Sequence, residues 1–260
     1  MTDARETVRR FQSTAEHYVR YRPRYPQGLI DAVADTRHLD GRGRLLDLGT
    51  GPGFLAIALA PRFEATVAMD PEPEMLAVAE AEARATGIVL TLVLGGSEDL
   101  GPHLGRFRLV TMGRSFHWMD RDRTLVALDA LIEPDGAIGL FDDDHPEVPE
   151  NAWHPSWRAV RDQYTPPSRR RDESADRTHE AVLSRSPFPV VRRLIHRWRQ
   201  SISIADLVGR MLSTSSTTPA VLGATRAGLE ADLRCALAPF AVDGLVDEVI
   251  EANALIATRV

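Results

Sequence analysis

The sequence holds a single cysteine, Cys235, and no lysine, so that all 31 of its basic residues are arginine. One thiol excludes an intrachain disulfide and any cysteine-cluster metal site, and a reducing compartment is the natural setting. Cys235 falls in a helical pattern and is expected to be a small buried apolar residue. The opening residues, Met-Thr-Asp-Ala-Arg-Glu-Thr-Val-Arg-Arg, lack the apolar stretch of a secretory signal, and no apolar run approaches the length of a membrane span. A cytoplasmic protein with no membrane partner is expected. The formal charge of −6 gives no general pull toward nucleic acid. No internal repeat or low-complexity segment interrupts the chain. Arginine and alanine in place of lysine fit a GC-rich, bacterial genome. The 260 residues suffice for one large α/β domain with an insertion.

What is present centres on Arg44 to Leu59, an apolar run, an acid, a glycine cluster and an apolar helical pattern. That order reads as a strand feeding a tight loop feeding a helix. Gly49, Gly51 and Gly53 let the loop turn with positive φ and let a ligand press on bare backbone. The dinucleotide fingerprint G-x-G-x-x-G starting at Gly49 would need glycine or alanine where Phe54 stands. An acid two residues ahead of Gly49 would also repel a pyrophosphate, whereas it suits a zwitterionic, cationic ligand.

The rest alternates strand with helix. Pro26 opens a helix over Gln27–Ala34. A strand over Ala65–Met69 ends at Asp70, and a helix over Pro73–Thr86 stops at Gly87. Further strands are expected over Ile88–Leu94, Phe107–Gly113 and Ala137–Phe141, with a helix over Arg121–Ile132 ended by the turn Glu133-Pro134-Asp135-Gly136. Five strands alternating with helices give parallel βαβ units. Beyond them, Val190–Ser201 reads as a long strand, Ser203–Leu212 and Pro219–Leu237 as helices capped by Ser203 and Thr218, and Asn253–Val260 as a closing strand.

The D-x-G-x-G-x-G run from Asp47 to Gly53 resembles motif I of the class I S-adenosylmethionine (SAM) dependent methyltransferases. The Ser-Phe-His-Trp segment and the aromatic, arginine-rich N-terminus resemble the trans-aconitate methyltransferase-like small-molecule group, type 11. The likeness covers most of residues 10 to 145. It implies a Rossmann-like α/β sheet, mostly parallel and seven-stranded, with a C-terminal antiparallel hairpin and helices on both faces. A single domain 1–260 is expected, with an N-terminal lid (1–40), a SAM-binding core (41–145), an acceptor-side insertion (146–188) and C-terminal strands and helices (189–260). The resemblance implies cofactor contacts from Asp47, Gly49, Thr50, Gly51 and Gly53 in the loop, and from Arg114 and Ser115 after the fourth strand. Asp70, about twenty residues past the glycines, is placed to take both ribose hydroxyls, with Pro71 beside it. Met75 lines the adenine slot or is simply core. Ser97, Glu98 and Asp99 match the adenine-contacting loop, and Gly96 stands where many relatives carry Asp. In the N-terminal segment, which includes Phe11 and His17, Tyr18 and Arg22 are expected to lie over the cofactor and Tyr21 over the acceptor.

The acceptor side is less determined. His117, in Arg114 to Asp120, is either a general base or a wall packed on Trp118. Phe116 and Trp118 are expected to form the wall of a small-molecule pocket. No Pro-Pro-Tyr or Pro-Pro-Phe element is present, which removes the signature for methylating nucleic-acid bases. Asp142, Asp143 and Asp144 would repel one another unless something positive neutralises them. They form a solvated loop, an amine-recognition site or, with His145, an oxygen-ligand metal site, and the amine reading is preferred to the metal. Trp153 is taken as an acceptor contact in the insertion, and Ser168 to Asp172 as a solvated basic run. The expected activity is in-line transfer of a methyl group from SAM to an N, O or C nucleophile of a small molecule, such as an amine-bearing natural product or aminosugar. The alternatives are methyl ester formation on a small carboxylic acid, with Arg114 or Arg22 as clamp, and a non-catalytic SAM-binding protein. A monomer or homodimer is expected.

Overall fold

The computed structural model describes residues 15–166 and 178–260. Phe11 and the run from Ser168 to Asp172 lie outside the described residues. In chain order the elements are α1 (Ala15–Tyr21), α2 (Gln27–Thr36), β1 (Arg44–Leu48), α3 (Phe54–Leu59), β2 (Ala65–Asp70), α4 (Pro73–Thr86), β3 (Thr91–Leu94), β4 (Phe107–Gly113) and α5 (Arg121–Asp129). They continue with β5 (Ile132–Asp144), α6 (His154–Tyr164), α7 (His179–Ser184), β6 (Val190–Ser203), α8 (Ile204–Leu212), α9 (Pro219–Leu222), α10 (Arg226–Leu237) and β7 (Leu245–Thr258). The strands form one seven-stranded sheet in the order β3-β2-β1-β4-β5-β7-β6, mixed through a C-terminal antiparallel pair.

Two compact units divide the described chain: residues 24–142, 178–196 and 252–260 in one, and residues 15–23, 143–166 and 197–251 in the other. The first of these contains β1 to β4, all paired in parallel, with Asp47 opposite Ala68 on one side and Thr111 on the other. Leu45, Leu46 and Leu48 of β1 and Leu109, Val110 and Met112 of β4 are buried, as expected of strands covered on both faces. The chain leaves β1 outward to β2 and β3, then returns to β4 on the other side. That reversal opens a crevice beyond the carboxyl ends of β1 and β4, where open α/β sheets bind ligands. α4 begins with Pro73 in its first turn and ends at Gly87, whose φ of +71° is the left-handed stop that glycine adopts without strain. β3 is shorter than its apolar run suggests, and β5 is longer. The Pro134–Gly136 turn residues are absorbed into β5, with a register shift against β4 between Phe107 and Leu109.

The other unit packs α6, α8 and α10 around Trp153, Trp157, Leu207, Met211, Leu229, Leu233 and Leu237. Ser203 caps α8 by accepting the Asp206 N–H at 3.0 Å, and Thr218 caps α9 through the Val221 N–H. The helix expected over Pro219–Leu237 is broken in two at Gly223, whose φ is +50°. On α10 the buried stripe is Leu229, Leu233 and Leu237, four residues apart. Cys235 falls off that stripe and is exposed, which corrects the expectation of a buried thiol. Among the described residues no helix is long and apolar enough to cross a membrane.

Candidate functional site

At the end of β1 the glycine loop is fastened to its neighbour: the Gly49 and Thr50 N–H groups both donate to the Met69 carbonyl, at 2.8 and 3.0 Å. Gly49, Gly51 and Gly53 have φ of +68°, +54° and +79°, so the alternation of glycines meets three positions in the left-handed region. They differ in their surroundings. A Cβ on Gly49 would stand 2.6 Å from Ser115 Cβ, and one on Gly53 3.0 Å from Ala79 Cβ, but among the described residues one on Gly51 would meet nothing within 4 Å. Gly49 and Gly53 are glycine for packing, and Gly51 alone presents bare backbone to open space.

Asp47, the acid of the loop motif, is 1% exposed. Its Oδ2 accepts the Thr50 hydroxyl at 2.6 Å and its Oδ1 the Thr111 hydroxyl at 2.7 Å. Burial pushes its carboxyl up to about 6, against the lowering effect of those two hydroxyls. Thr111 was not singled out in the sequence; the available signal was a hydroxyl in the apolar run Leu109-Val110-Thr111-Met112, where a buried polar group must find a partner.

Asp70 ends β2 beside the loop, 7% exposed. Its Oδ2 accepts the Gly51 N–H at 2.7 Å and its Oδ1 the Glu72 N–H at 2.9 Å, so it joins the glycine loop to the start of α4. Burial raises its carboxyl above the usual range. Pro71 lies between them, and Met75, one turn into α4, is 4% exposed and so belongs to the core. After β3, the Asp99 carboxylate accepts the Gly96 N–H at 2.9 Å and caps its own turn, while Glu98 beside it is exposed and Ser97 half-buried.

At the end of β4, Arg114 has a φ of +54°, a strained value for a non-glycine residue and one that clusters at functional sites. Its N–H donates to the Phe141 carbonyl at 2.9 Å, and its guanidinium lies 4.7 Å from the centre of the Tyr25 ring, which meets Phe141 edge-on. Ser115 Oγ donates to the Leu48 carbonyl at 2.9 Å and so ties the β4 turn to the β1 turn. His117 is half-buried, with its ring 4.7 Å from that of Trp118, which is 40% exposed. Phe116 corrects the expectation of an aromatic pocket wall. At 1% exposure it points into the core, edge-on to the His179 ring of α7.

The N-terminal candidates Tyr18 and Arg22, expected over the cofactor, and several acceptor-side candidates belong to the other unit. Tyr21 packs its ring on Gly209 of α8, Arg22 lies over the Tyr18 ring, and Arg22 Nη2 donates to the Ser213 carbonyl at 3.5 Å. Trp153 is 1% exposed and donates its indole N–H to the Asp247 carbonyl at 3.0 Å, which places it in the core of its own unit. Asp142 is half-buried at the end of the sheet unit, while Asp143 and Asp144 lie across the boundary. His145 does not join the aspartates as a fourth ligand. Its Nε2 lies 2.9 Å from Glu248 Oε2, and Glu248, fully buried, also takes both Arg210 Nη groups at 2.7 and 3.0 Å and Gln200 Nε2 at 2.6 Å. Burial by itself would raise the Glu248 carboxyl, but the bonds from His145, Arg210 and Gln200 and the Arg210 charge hold it down at about 2. His154, its ring 4.5 Å from that of His145, is lowered to about 4 by burial and by His145 and its arginine neighbours. Among the described residues no group of three or more His, Cys, Asp or Glu could hold a metal ion.

Residues 45–136 match the family described as methyltransferase domain. An uncharacterized methyltransferase of Mycobacterium tuberculosis is 33% identical over 130 residues, 50% of each chain. A probable S-adenosylmethionine-dependent methyltransferase of Saccharomyces cerevisiae is 26% identical over 128 residues, 48% of this chain and 44% of that one. The chain thus spans about half the length of the curated relatives it matches. Among solved structures, the YcgJ protein of a Bacillus aligns with a TM-score of 0.60 at 19% identity over 90% of this chain and 100% of that one. A SAM-dependent methyltransferase of Thiobacillus denitrificans, in complex with S-adenosyl-L-homocysteine, aligns with a TM-score of 0.55 at 13% identity over 97% and 99%. At these identities the structural likeness establishes the fold.

Proposed function

We propose that the chain, whose residues 45–136 match a methyltransferase domain, is a class I SAM-dependent methyltransferase that transfers a methyl group from SAM to an N, O or C nucleophile of a small molecule. The observation that carries this reading is the open, side-chain-free space at Gly51, whose N–H is held by Asp70. A nucleoside with a charged amino-acid tail fits that cradle: Gly51 offers backbone, Asp70 an acceptor for ribose hydroxyls, and Glu98 an exposed carboxylate for the adenine amino group. Bound there, SAM supplies a methyl group on a sulfonium that is already a good leaving group. The residues therefore contribute mainly position and dryness. His117, after β4, takes the acceptor proton where the nucleophile carries one. Arg114, held in a strained turn over Tyr25, orients the carboxylate of whichever ligand carries one.

For the acceptor, the Asp142 to Asp144 run supports an amine-bearing natural product or aminosugar, since three adjacent carboxylates favour a cationic partner. Transfer from labelled SAM to a panel of aminosugars, amines, phenols, polyketides and carboxylic acids tests both levels. Label on an aminosugar or amine supports the reading. Label on a carboxylic acid alone replaces the amine by an ester. Absence of transfer alongside tight S-adenosyl-L-homocysteine binding would leave a SAM-binding protein without turnover.

A further inference from the structure

A second carboxylate lies beside the cradle that neither the loop motif nor Asp70 accounts for. Glu72 is 3% exposed, and among the described residues neither of its carboxyl oxygens has a hydrogen-bond partner. A buried acid with both oxygens unmet is uncommon in folded proteins and costs free energy until something donates to it. Its place makes the omission more pointed. Glu72 is the cap residue of the 14-residue α4, yet its side chain does not cap that helix. Its backbone N–H is instead spent on Asp70 Oδ1, while Asp70 Oδ2 holds Gly51. Each Asp70 oxygen thus already serves the fold once, and the acceptor with nothing committed is Glu72.

We propose that Glu72 is a second acceptor for the ribose hydroxyls of the bound nucleoside, so that the diol is shared between Asp70 and Glu72. The proposal rests on the SAM reading above. A vicinal diol offers two O–H donors, and Asp70, which holds the Gly51 N–H with one oxygen and the Glu72 N–H with the other, brings the two acids to one turn of the chain. Burial first, and then the nearby Asp70 and Glu74 charges, push the Glu72 carboxyl up to about 7, as expected of a buried acid beside two other acids. Sequence reading passes over Glu72 because the run Asp-Pro-Glu-Pro-Glu offers three acids in five positions, and only the first ends the strand.

The test is calorimetric binding of S-adenosyl-L-homocysteine and of its 2′-deoxy and 3′-deoxy analogues to the wild-type protein, Glu72→Gln and Glu72→Ala, with thermal melts beside each. Glu72→Ala is expected to weaken the parent ligand by about tenfold or more, as for loss of a hydrogen bond to an ionisable group. Against whichever deoxy analogue lacks the hydroxyl in question, that loss should shrink to about twofold or less. Glu72→Gln, nearly isosteric, carries the comparison should the alanine variant fail to fold. An equal loss with the parent and both analogues, or a folded variant with unchanged affinity, overturns the role of Glu72. A wild-type protein that binds none of the three ligands instead overturns the SAM reading itself.

Discussion

Gly49 and Gly51 are two residues apart, share the left-handed backbone and should respond to alanine differently. At Gly51 the φ of +54° costs a non-glycine residue about 1–2 kcal/mol. Restricting the unfolded chain returns roughly 0.4–1 kcal/mol, which leaves a net loss of about 1 kcal/mol. The new methyl group meets no atom of the described residues within 4 Å, so no packing term is added. In a chain of this size that is a fall in Tm of about 2–4 °C. The methyl group does occupy the space in which the nucleoside is to press on backbone, and the Kd for S-adenosyl-L-homocysteine should rise by about tenfold or more, roughly 1.4 kcal/mol. At Gly49 the backbone strain is similar, but the added Cβ sits 2.6 Å from Ser115 Cβ, a rigid atom whose hydroxyl bridges to the Leu48 carbonyl. Overpacking there adds about 1–3 kcal/mol and disturbs the turn that carries His117. Urea denaturation and calorimetric titration of the two variants separate the effects. A Gly51→Ala protein that binds the ligand within about twofold of wild type would refute the placement of the cofactor. Equal stability losses for the two variants would refute the packing distinction.

Three further outcomes follow from the same geometry. Glu248→Gln leaves Arg210 buried without its counter-charge and should cost about 3–5 kcal/mol at neutral pH by urea denaturation. Because the folded Glu248 carboxyl is depressed to about 2, its contribution is present above its ordinary value of 4.5 and is lost as pH falls through about 2. The gap between variant and wild type should therefore narrow in acid; a constant gap would sink that account. Asp47 has the opposite sign. Its folded carboxyl is raised from 3.8 to about 6, so the stability it lends is present in full below 3.8 and is lost as pH rises through 6, by about 3 kcal/mol at most. Asp47→Asn should flatten the stability profile between those values, and an unchanged profile would show that the carboxyl titrates normally. His117→Ala should lower the single-turnover rate by about 100-fold while S-adenosyl-L-homocysteine affinity holds, in keeping with general-base catalysis. Weaker binding with an unchanged rate would make the ring structural.

What the residues determined by themselves was local and periodic. Strand β4 and helix α4 are legible to the residue, because an apolar run bounded by polar residues and a helix bracketed by Pro73 and Gly87 need no distant partner to be recognised. The glycine loop and the acid ending β2 were legible for the same reason: backbone conformation is written in residue type. Tertiary structure decided which side chains those elements spend on each other. Asp47 is given to Thr50 and Thr111, Phe116 and Trp153 go to the cores, and His145 turns from its aspartate neighbours to Glu248, 103 positions away. Cys235 is exposed where its helical pattern suggests burial, because helical spacing says that one stripe is buried but does not say which residue begins it. Glu72 shows the limit most clearly. The sequence supplies an acid like its neighbours, and only packing makes it a buried carboxyl with nothing to accept, since burial and hydrogen-bond satisfaction belong to the folded surroundings and not to the residue.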